Sequence, residues 1–294
     1  MDDQVVTRAW LPLAYVIGLG ALALVYAPVL VSLVHDWATN PNYSHGFLMP
    51  FAVAFFIWQQ REQLRALPVR PSAWGAVLAV ASQAIYLVGF LGAEYFLQRT
   101  SLLLLLAGGI VFLYGWKHLQ VHLFSLALLF LAIPLPEIIF NAIAFPLQLL
   151  ASAWAAALLG LFSIPVFREG NVLVLPQRTL DVAQACSGIR SLFSLVALAM
   201  IVAYFIPARF WVRLGLVLSA VPIALATNAF RIAATGVLGK WFGAAASEGF
   251  FHAFSGWLIF LLAFVAMLGE AALLSHWLGK KPTGPPATSG GATA

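Results

Sequence analysis

The sequence predicts an all-α, polytopic membrane protein built as a bundle of transmembrane helices. Of the 294 residues, 63% are hydrophobic and only 9% are charged, and the mean hydropathy is +0.96. Water-soluble domains carry roughly 25% charged residues, so this composition cannot cover a water-facing surface. Apolar stretches long enough for a hydrocarbon core of roughly 30 Å recur along the chain. We expect a single integral-membrane domain over residues 1–281 and a disordered cytoplasmic tail, 282–294, which is rich in Pro, Gly, Ser, Thr and Ala.

Eight apolar runs predict about eight crossings. They lie near residues 11–34, 47–60, 74–92, 100–116, 119–134, 188–207, 214–235 and 252–277. The first run is too long for the apolar core of a signal peptide, so we expect it to be retained as a helix. Residues 135–164 are also apolar, but Pro134, Pro136 and Pro146 favour a broken, re-entrant or interfacial segment there. If that segment crossed, the count would be nine.

Positive charges between the runs predict the orientation. Four sites carry them: Arg61, Arg65 and Arg70; Lys117; Arg209 and Arg213; Lys280 and Lys281. By the positive-inside rule all four sites are cytoplasmic. We therefore expect a protein of the inner membrane with both termini in the cytoplasm. These loops account for the net charge of +5, which therefore gives no reason to expect nucleic-acid binding. The start of the sixth run, the end of the seventh and the start of the eighth all fall on the extracytoplasmic side.

A short extracytoplasmic hairpin is expected between residues 165 and 181. Glu169, Gly170 and Asn171 supply turn residues between alternating apolar positions.

The only cysteine, Cys186, lies at the start of the sixth run. A helix start and a cationic neighbour favour the thiolate, which is the nucleophilic form of cysteine. Arg190 follows Cys186 at the i, i+4 spacing, and Ser187 and Gly188 allow close backbone approach. The alternative is a buried small apolar side chain, and a single cysteine excludes an internal disulfide.

Two further side chains on the same predicted side suit acyl transfer by a thiol. An arginine such as Arg231 is energetically costly within a membrane segment unless it is paired or its side chain snorkels to the interface. Its guanidinium could stabilise an oxyanion, and Asn228, three residues earlier, could orient it. His252 could exchange the protons that thiol acyl transfer requires. His45, in the loop with Tyr43 and Ser44, is the main rival for that role. No pair of histidines has a zinc-site spacing with supporting carboxylates, so we expect no metal and no cofactor.

These motifs together resemble the exosortase and archaeosortase family, over roughly residues 35 to 275. They are Ala185-Cys186-Ser187-Gly188-Ile189-Arg190-Ser191, Asn228-Ala229-Phe230-Arg231-Ile232, His252 with Gly256, and the early Tyr43-Ser44-His45-Gly46. The resemblance implies a cysteine transpeptidase, with Cys186 as nucleophile and Arg231 and His252 as its conserved partners. It implies the bacterial branch of the family, whose substrates are exported proteins that end in a Pro-Glu-Pro motif, a transmembrane helix and a basic cluster.

The acceptor nucleophile stays open between a lipid, a surface polysaccharide and water. An arginine on the outer side, Arg168, Arg178 or Arg190, is expected to read the acidic residue of the sorting motif, because guanidinium binds carboxylate in a bidentate manner. A polytopic transporter or a membrane acyltransferase for surface polymers or lipids is the alternative function. A transporter would not need the thiol, and an acyltransferase would take a different acyl donor.

Overall fold

The computed structural model describes the backbone of residues 3–176, 178–182, 188–242 and 250–278, and the side chains of 20–176, 179–182, 190–241 and 254–277. The chain divides into two compact units, Met1–Glu137 and Ile138–Ala294. Each unit is described below by itself. The prediction of one domain over residues 1–281 stays a prediction.

The first unit consists of helices. They are α1 (Asp3–Thr39), a 3-10 helix (Pro41–Leu48), α2 (Met49–Gln59), α3 (Arg61–Ala66), α4 (Trp74–Leu91), α5 (Tyr95–Leu113) and α6 (Trp116–Leu131). Helix α1 runs beyond its predicted end near residue 34, so Asp36 is part of a helix rather than of a loop.

Helices α4 and α5 form a hairpin whose backbones come into direct contact. A Cβ added to Gly75 would lie 2.5 Å from the carbonyl oxygen of Gly108, and one added to Gly108 would lie 2.9 Å from that of Gly75. Small residues allow this approach, which is how membrane helices gain packing energy. In the short turn between them, the Glu94 side chain accepts a hydrogen bond from the Phe96 N–H and caps α5.

The second unit consists of helices and a small sheet. Its elements are α7 (Glu137–Leu161), β1 (Phe167–Glu169), β2 (Val172–Leu175), β3 (Arg178–Asp181), α8 (Gly188–Phe205), α9 (Phe210–Phe242) and α10 (Phe250–Leu278).

The sheet contains the predicted hairpin. Strands β1 and β2 pair antiparallel, with Glu169 opposite Val172, so Gly170 and Asn171 form a two-residue loop. Gly170 has φ +62°, a conformation that glycine adopts without strain. Strand β3 pairs with β2 in the order β1-β2-β3 and was not expected. The loop is fixed to α7, because the Ser152 hydroxyl lies 3.0 Å from the Gly170 carbonyl oxygen.

Two apolar clusters hold the second unit together. In the first, Leu173, Leu175, Leu180 and Val182 of the sheet region pack with residues of α7 and α9. In the second, small and apolar residues of α8, α9 and α10 interdigitate; they are Leu192, Leu195, Ala199, Ala203, Leu216, Ala220, Ala224, Ala263, Met267 and Ala271. Alanine at so many of these positions brings the three helices close together. Helix α9 therefore has the sheet on one side and α8 and α10 on another.

Within the described part of the chain, six helices are long and apolar enough to cross a membrane. They contain Gly20–Thr39, Trp74–Leu91, Tyr95–Leu113, Glu137–Leu161, Phe210–Trp241 and Phe254–Trp277. The prediction of an all-α, polytopic membrane protein is confirmed. Helices α2 and α6 and the apolar part of α8 are shorter than a typical span, and the number of crossings stays a prediction.

Residues 135–164 differ from the expectation of a broken segment. Glu137–Leu161 is one continuous helix of 25 residues with Pro146 inside it. At 1.5 Å per residue it is about 37 Å long, enough for a crossing. Pro134 and Pro136 precede the helix and so cost it no hydrogen bond. Pro146 removes a single donor, which transmembrane helices tolerate when neighbouring groups compensate.

Candidate functional site

Arg231 is a buried cation within a membrane-length helix. Its residue exposure is 6%, and α9 continues for eleven residues beyond it to Phe242. The expectation that Arg231 lies near the end of its apolar segment is therefore wrong, because the apolar sequence after residue 235 continues the helix. Snorkelling would leave the guanidinium at the end of the helix and exposed, which this burial contradicts.

The guanidinium of Arg231 lies against the backbone of α10 at Gly256. A Cβ added to Gly256 would lie 3.1 Å from Nη2, 3.3 Å from Cζ and 3.5 Å from Nη1 of Arg231. These three atoms span the planar head of the side chain. Glycine thus leaves the space in which the cation sits between α9 and α10.

Polar residues accompany Arg231 along α9. Asn228, one turn earlier on the same face, is 8% exposed. Thr235, one turn later, donates its hydroxyl to the Arg231 carbonyl oxygen at 2.9 Å. The next residue, Ile232, is 2% exposed and packs in the cluster that contains the sheet. The cation therefore belongs to a polar stripe bordered by a tightly packed core.

His252 lies in the first turn of α10, and its side chain is outside the described residues. Positions 252 and 256 are separated by four residues and share one face of the helix. Because Gly256 contacts the Arg231 guanidinium, His252 lies one helical turn from that contact. The structure thus brings two of the three predicted catalytic positions to neighbouring turns of α9 and α10.

Cys186 and Ser187 lie outside the described residues, which stop at Val182 and resume at Gly188. Val182 is completely buried and packs in the same cluster as Ile232 of α9. On the other side, α8 begins at Gly188 and packs along α9 and α10 through Leu192 and Leu195. The chain on both sides of Cys186 is thus packed against the helix that carries Arg231.

The three candidate reader arginines occupy different places. Arg190 is exposed in the first turn of α8. Arg168 is exposed on β1 and donates from Nη1 to the Gly170 carbonyl oxygen at 3.2 Å. Arg178 begins β3, and its side chain is outside the described residues. Arg168 and Arg178 thus lie on the two outer strands of the sheet, and Arg190 lies on α8.

The Tyr-Ser-His-Gly motif lies in the 3-10 helix of the first unit, where it holds the end of α6. The Tyr43 hydroxyl accepts from the Leu135 N–H at 3.1 Å, and His45 Nε2 lies 3.3 Å from the Leu131 carbonyl oxygen. The Leu131 carbonyl oxygen is one of the acceptors left without a partner at the end of α6, so His45 acts as its cap, and Tyr43 holds the segment that follows. Ser44 is exposed and donates to the Pro41 carbonyl oxygen at 3.2 Å.

Burial shifts the pKa values of His45 and Tyr43, the two buried side chains of the motif. Burial lowers the pKa of His45, opposed by its backbone hydrogen bonds at Leu131 and Asn42. Burial also raises the pKa of Tyr43, opposed by the hydrogen bond from Leu135. Both groups are therefore held in their neutral forms. A neutral His45 that contacts the end of α6 has a structural task, which weakens its case as a rival to His252.

Sequence reasoning missed an ion pair in the first unit. Arg99 Nη2 lies 2.6 Å from Asp36 Oδ2 and 2.8 Å from the Ser32 hydroxyl, and the Arg99 side chain is 3% exposed. The Arg99 guanidinium also lies 5.4 Å from the centroid of the Tyr95 ring. A charged residue just before an apolar run was the available signal, but the partner is 63 positions away and no local pattern identifies it.

The comparison with known families identifies the family of the chain. The model of the family described as transmembrane exosortase (Exosortase_EpsH) matches residues 37–269. The chain belongs to the exosortase family. Neither a search of curated proteins nor a search of solved structures found a match. The matched range of this exosortase contains Cys186, Arg231, His252 and the Tyr-Ser-His-Gly motif.

The Arg231 guanidinium is the chemical group that the described part of the candidate site supplies. No group of three or more metal-ligating residues occurs among the residues that the structure describes. A buried guanidinium offers five fixed N–H donors in surroundings of low dielectric constant, where hydrogen bonds to an anion are strong. Such a group suits a reaction in which negative charge develops on an oxygen atom.

Proposed function

We propose that this exosortase is a membrane cysteine transpeptidase that cleaves the C-terminal sorting signals of exported proteins. The observation that carries the proposal is the buried Arg231 guanidinium, held on the backbone of α10 one turn from His252. A cation costs roughly 2.5–3.5 kcal/mol at the centre of a membrane helix, so such residues are rare and are expected to have a functional role. Stabilising a transient oxyanion is such a role.

In the first step, the Cys186 thiolate attacks the scissile carbonyl carbon and forms a tetrahedral intermediate. Arg231 donates hydrogen bonds to the oxyanion, with Asn228 as its orienting neighbour. The intermediate collapses as the carbon–nitrogen bond breaks, and protonated His252 gives its proton to the departing amine. The products are a thioester on Cys186 and a released tail that bears a new amino terminus.

In the second step, an acceptor nucleophile attacks the thioester carbon. His252, now neutral, removes the proton of the attacking amine or water, and the Cys186 thiolate leaves. An amine on a lipid or polysaccharide gives transpeptidation, and water gives simple peptidase activity. The same three side chains serve both outcomes, so the acceptor is set by what reaches the thioester.

The proposed location is the inner membrane, with the site on the extracytoplasmic side and both termini in the cytoplasm. This orientation rests on the positively charged loops of the sequence. It presents the thiol to the segment that precedes a substrate's transmembrane helix. A sorting signal with a Pro-Glu-Pro motif, a transmembrane helix and a basic cluster fits that arrangement, because its helix can lie beside the exosortase in the bilayer.

Reading of the acidic residue in the motif is assigned to Arg168, Arg178 or Arg190. Arg190 has support in its exposure and in its place two residues after the start of α8. Each arginine is replaced by Gln, and cleavage of the Pro-Glu-Pro reporter is compared with that of a Pro-Gln-Pro reporter. The reader should lose cleavage of the acidic reporter selectively. Equal loss on both reporters contradicts a reader role for that residue.

The central experiment co-expresses the exosortase with a tagged exported protein that ends in such a sorting signal. Tail removal is followed by gel shift for the wild type and for Cys186→Ala, Arg231→Gln and His252→Ala. Each variant should be present in the membrane at normal level and should fail to remove the tail. Cleavage that persists in Cys186→Ala would refute the thiol mechanism.

Matched controls occupy the same helices. Arg213→Gln changes another arginine of α9, whose Nε donates to the Ile206 carbonyl oxygen at 3.1 Å. His276→Ala changes an exposed histidine in the last turn of α10. Both controls should cleave at the wild-type rate. Loss of cleavage in the controls as well would indicate damage to the bundle rather than to a site.

A further inference from the structure

We infer that Gly256 is a positioning residue for Arg231: its missing side chain sets where the guanidinium lies relative to His252. This inference rests on the proposed function, in which Arg231 stabilises an oxyanion. Its physical basis is the contact between α9 and α10 described above. A methyl group at Gly256 would approach Nη2 to 3.1 Å and Cζ to 3.3 Å. Both distances are shorter than ordinary van der Waals contact, so the guanidinium would have to move.

The direction of that movement is fixed by the surroundings. The Cβ would occupy the space on α10 that the guanidinium now uses, so the cation must move away from α10 and from the turn that carries His252. Arg231 is 6% exposed, so its head has little room for a compensating rotation. Contacts of 3.1–3.5 Å require the guanidinium to move by a few tenths of an ångström. Displacement of a catalytic group by about 1 Å can cost about a hundredfold in rate, so we expect a smaller loss here.

The contact at Gly256 is specific among the described glycines of α10. Gly269, in the same helix, has nothing within 4 Å of an added Cβ. Alanine is a better helix former than glycine, by roughly 0.5–1 kcal/mol in an exposed helix interior. Gly269→Ala is therefore a matched control that makes the same chemical change on the same helix. A loss of activity confined to Gly256→Ala must then come from the guanidinium contact.

The experiment measures the cleavage rate constant of the sorting-signal reporter by Gly256→Ala, Arg231→Lys, the double variant and Gly269→Ala. Gly256→Ala is expected to lower the rate constant about 3-fold to 10-fold, and Gly269→Ala to leave it unchanged. Lysine has no planar head to collide with the new methyl group. Adding Gly256→Ala to Arg231→Lys should therefore cost less than about 1.5-fold, less than it costs beside arginine.

This non-additivity separates positioning from damage to the fold. A reduced amount of folded enzyme would lower the rate constant by the same factor whatever residue occupies position 231. Multiplicative effects in the double variant would therefore overturn the inference. Wild-type cleavage by Gly256→Ala, with Cys186→Ala inactive, would overturn it and leave the proposed function standing. Normal cleavage by Cys186→Ala would overturn both.

Discussion

Replacing Asp36 by Asn should destabilise the first unit, because it leaves the buried Arg99 guanidinium with an uncompensated charge. The two charged atoms lie 2.6 Å apart, and the side chains of Arg99 and Asp36 are 3% and 34% exposed. Removing one partner of a buried ion pair costs about 3–5 kcal/mol. Water reaches a third of Asp36, and Ser32 still accepts from Arg99, so we expect about 2–3 kcal/mol for this pair.

The assay is unfolding of the purified protein from mild detergent by added denaturing detergent, followed by circular dichroism. The control is Glu62→Gln, which breaks the pair between Arg61 and Glu62, 3.8 Å apart with side chains 42% and 85% exposed. An exposed pair contributes about 0–1 kcal/mol, so this control should unfold like the wild type. If Asp36→Asn also unfolded like the wild type, the reasoning from burial would be refuted.

A double variant tests the assignment of the effect to charge. Asp36→Asn with Arg99→Met removes the charge that the single variant leaves alone. It should be less destabilised than the sum of the two single variants, since each one breaks the same interaction. Additive losses would show that the two side chains act independently.

Three further results are expected in the same assay. Because burial lowers the pKa of His45, the folded protein binds a proton at this side chain less readily than the unfolded chain does. The free energy of unfolding should therefore fall as the pH drops below about 6.5. The variant His45→Gln should show a weaker dependence of stability on pH. Gly46→Ala would place its Cβ on the Trp37 ring and should cost about 1–3 kcal/mol, whereas Gly109→Ala, with open space, should cost none. Ser152→Ala removes the buried hydroxyl by which α7 binds the hairpin loop, and this change should cost about 1–2 kcal/mol. An unchanged pH slope in the His45 variant, equal effects of the two glycine variants, or an unaltered Ser152 variant would contradict the corresponding argument.

The sequence predicted the elements that depend on local chemistry. Composition and apolar runs gave the membrane-spanning fold, and Gly170 with Asn171 gave the hairpin loop, because both signals lie within a few neighbouring residues. Strand β3 was missed because the connection from β2 to β3, Pro176-Gln177, lacks the glycine or asparagine that marks a hairpin turn. The proline-rich region was misjudged because two of its prolines lie before α7, outside the helix they were expected to break.

The candidate site was predictable in its residue types and only partly in its arrangement. The cost of an intramembrane arginine singled out Arg231, and spacing related it to Asn228. The sequence placed Gly256 in one motif with His252, but it did not indicate that the Arg231 guanidinium fills the space beside Gly256. Likewise, Asp36 and Arg99 are 63 positions apart in the sequence, and only the folded helices bring them together. Contacts between distant segments depend on the whole bundle, which local patterns do not encode.

The close contact between Gly75 and Gly108 has a consequence for the biogenesis of the protein. Helices α4 and α5 meet through their own backbones, are joined by a short turn, and cap that turn with Glu94. The contact between the two glycines needs nothing from later parts of the chain. The helix pair can associate in the bilayer while the ribosome has yet to synthesise Arg231 and His252. An early helical hairpin would then be in place before the reactive side chains emerge.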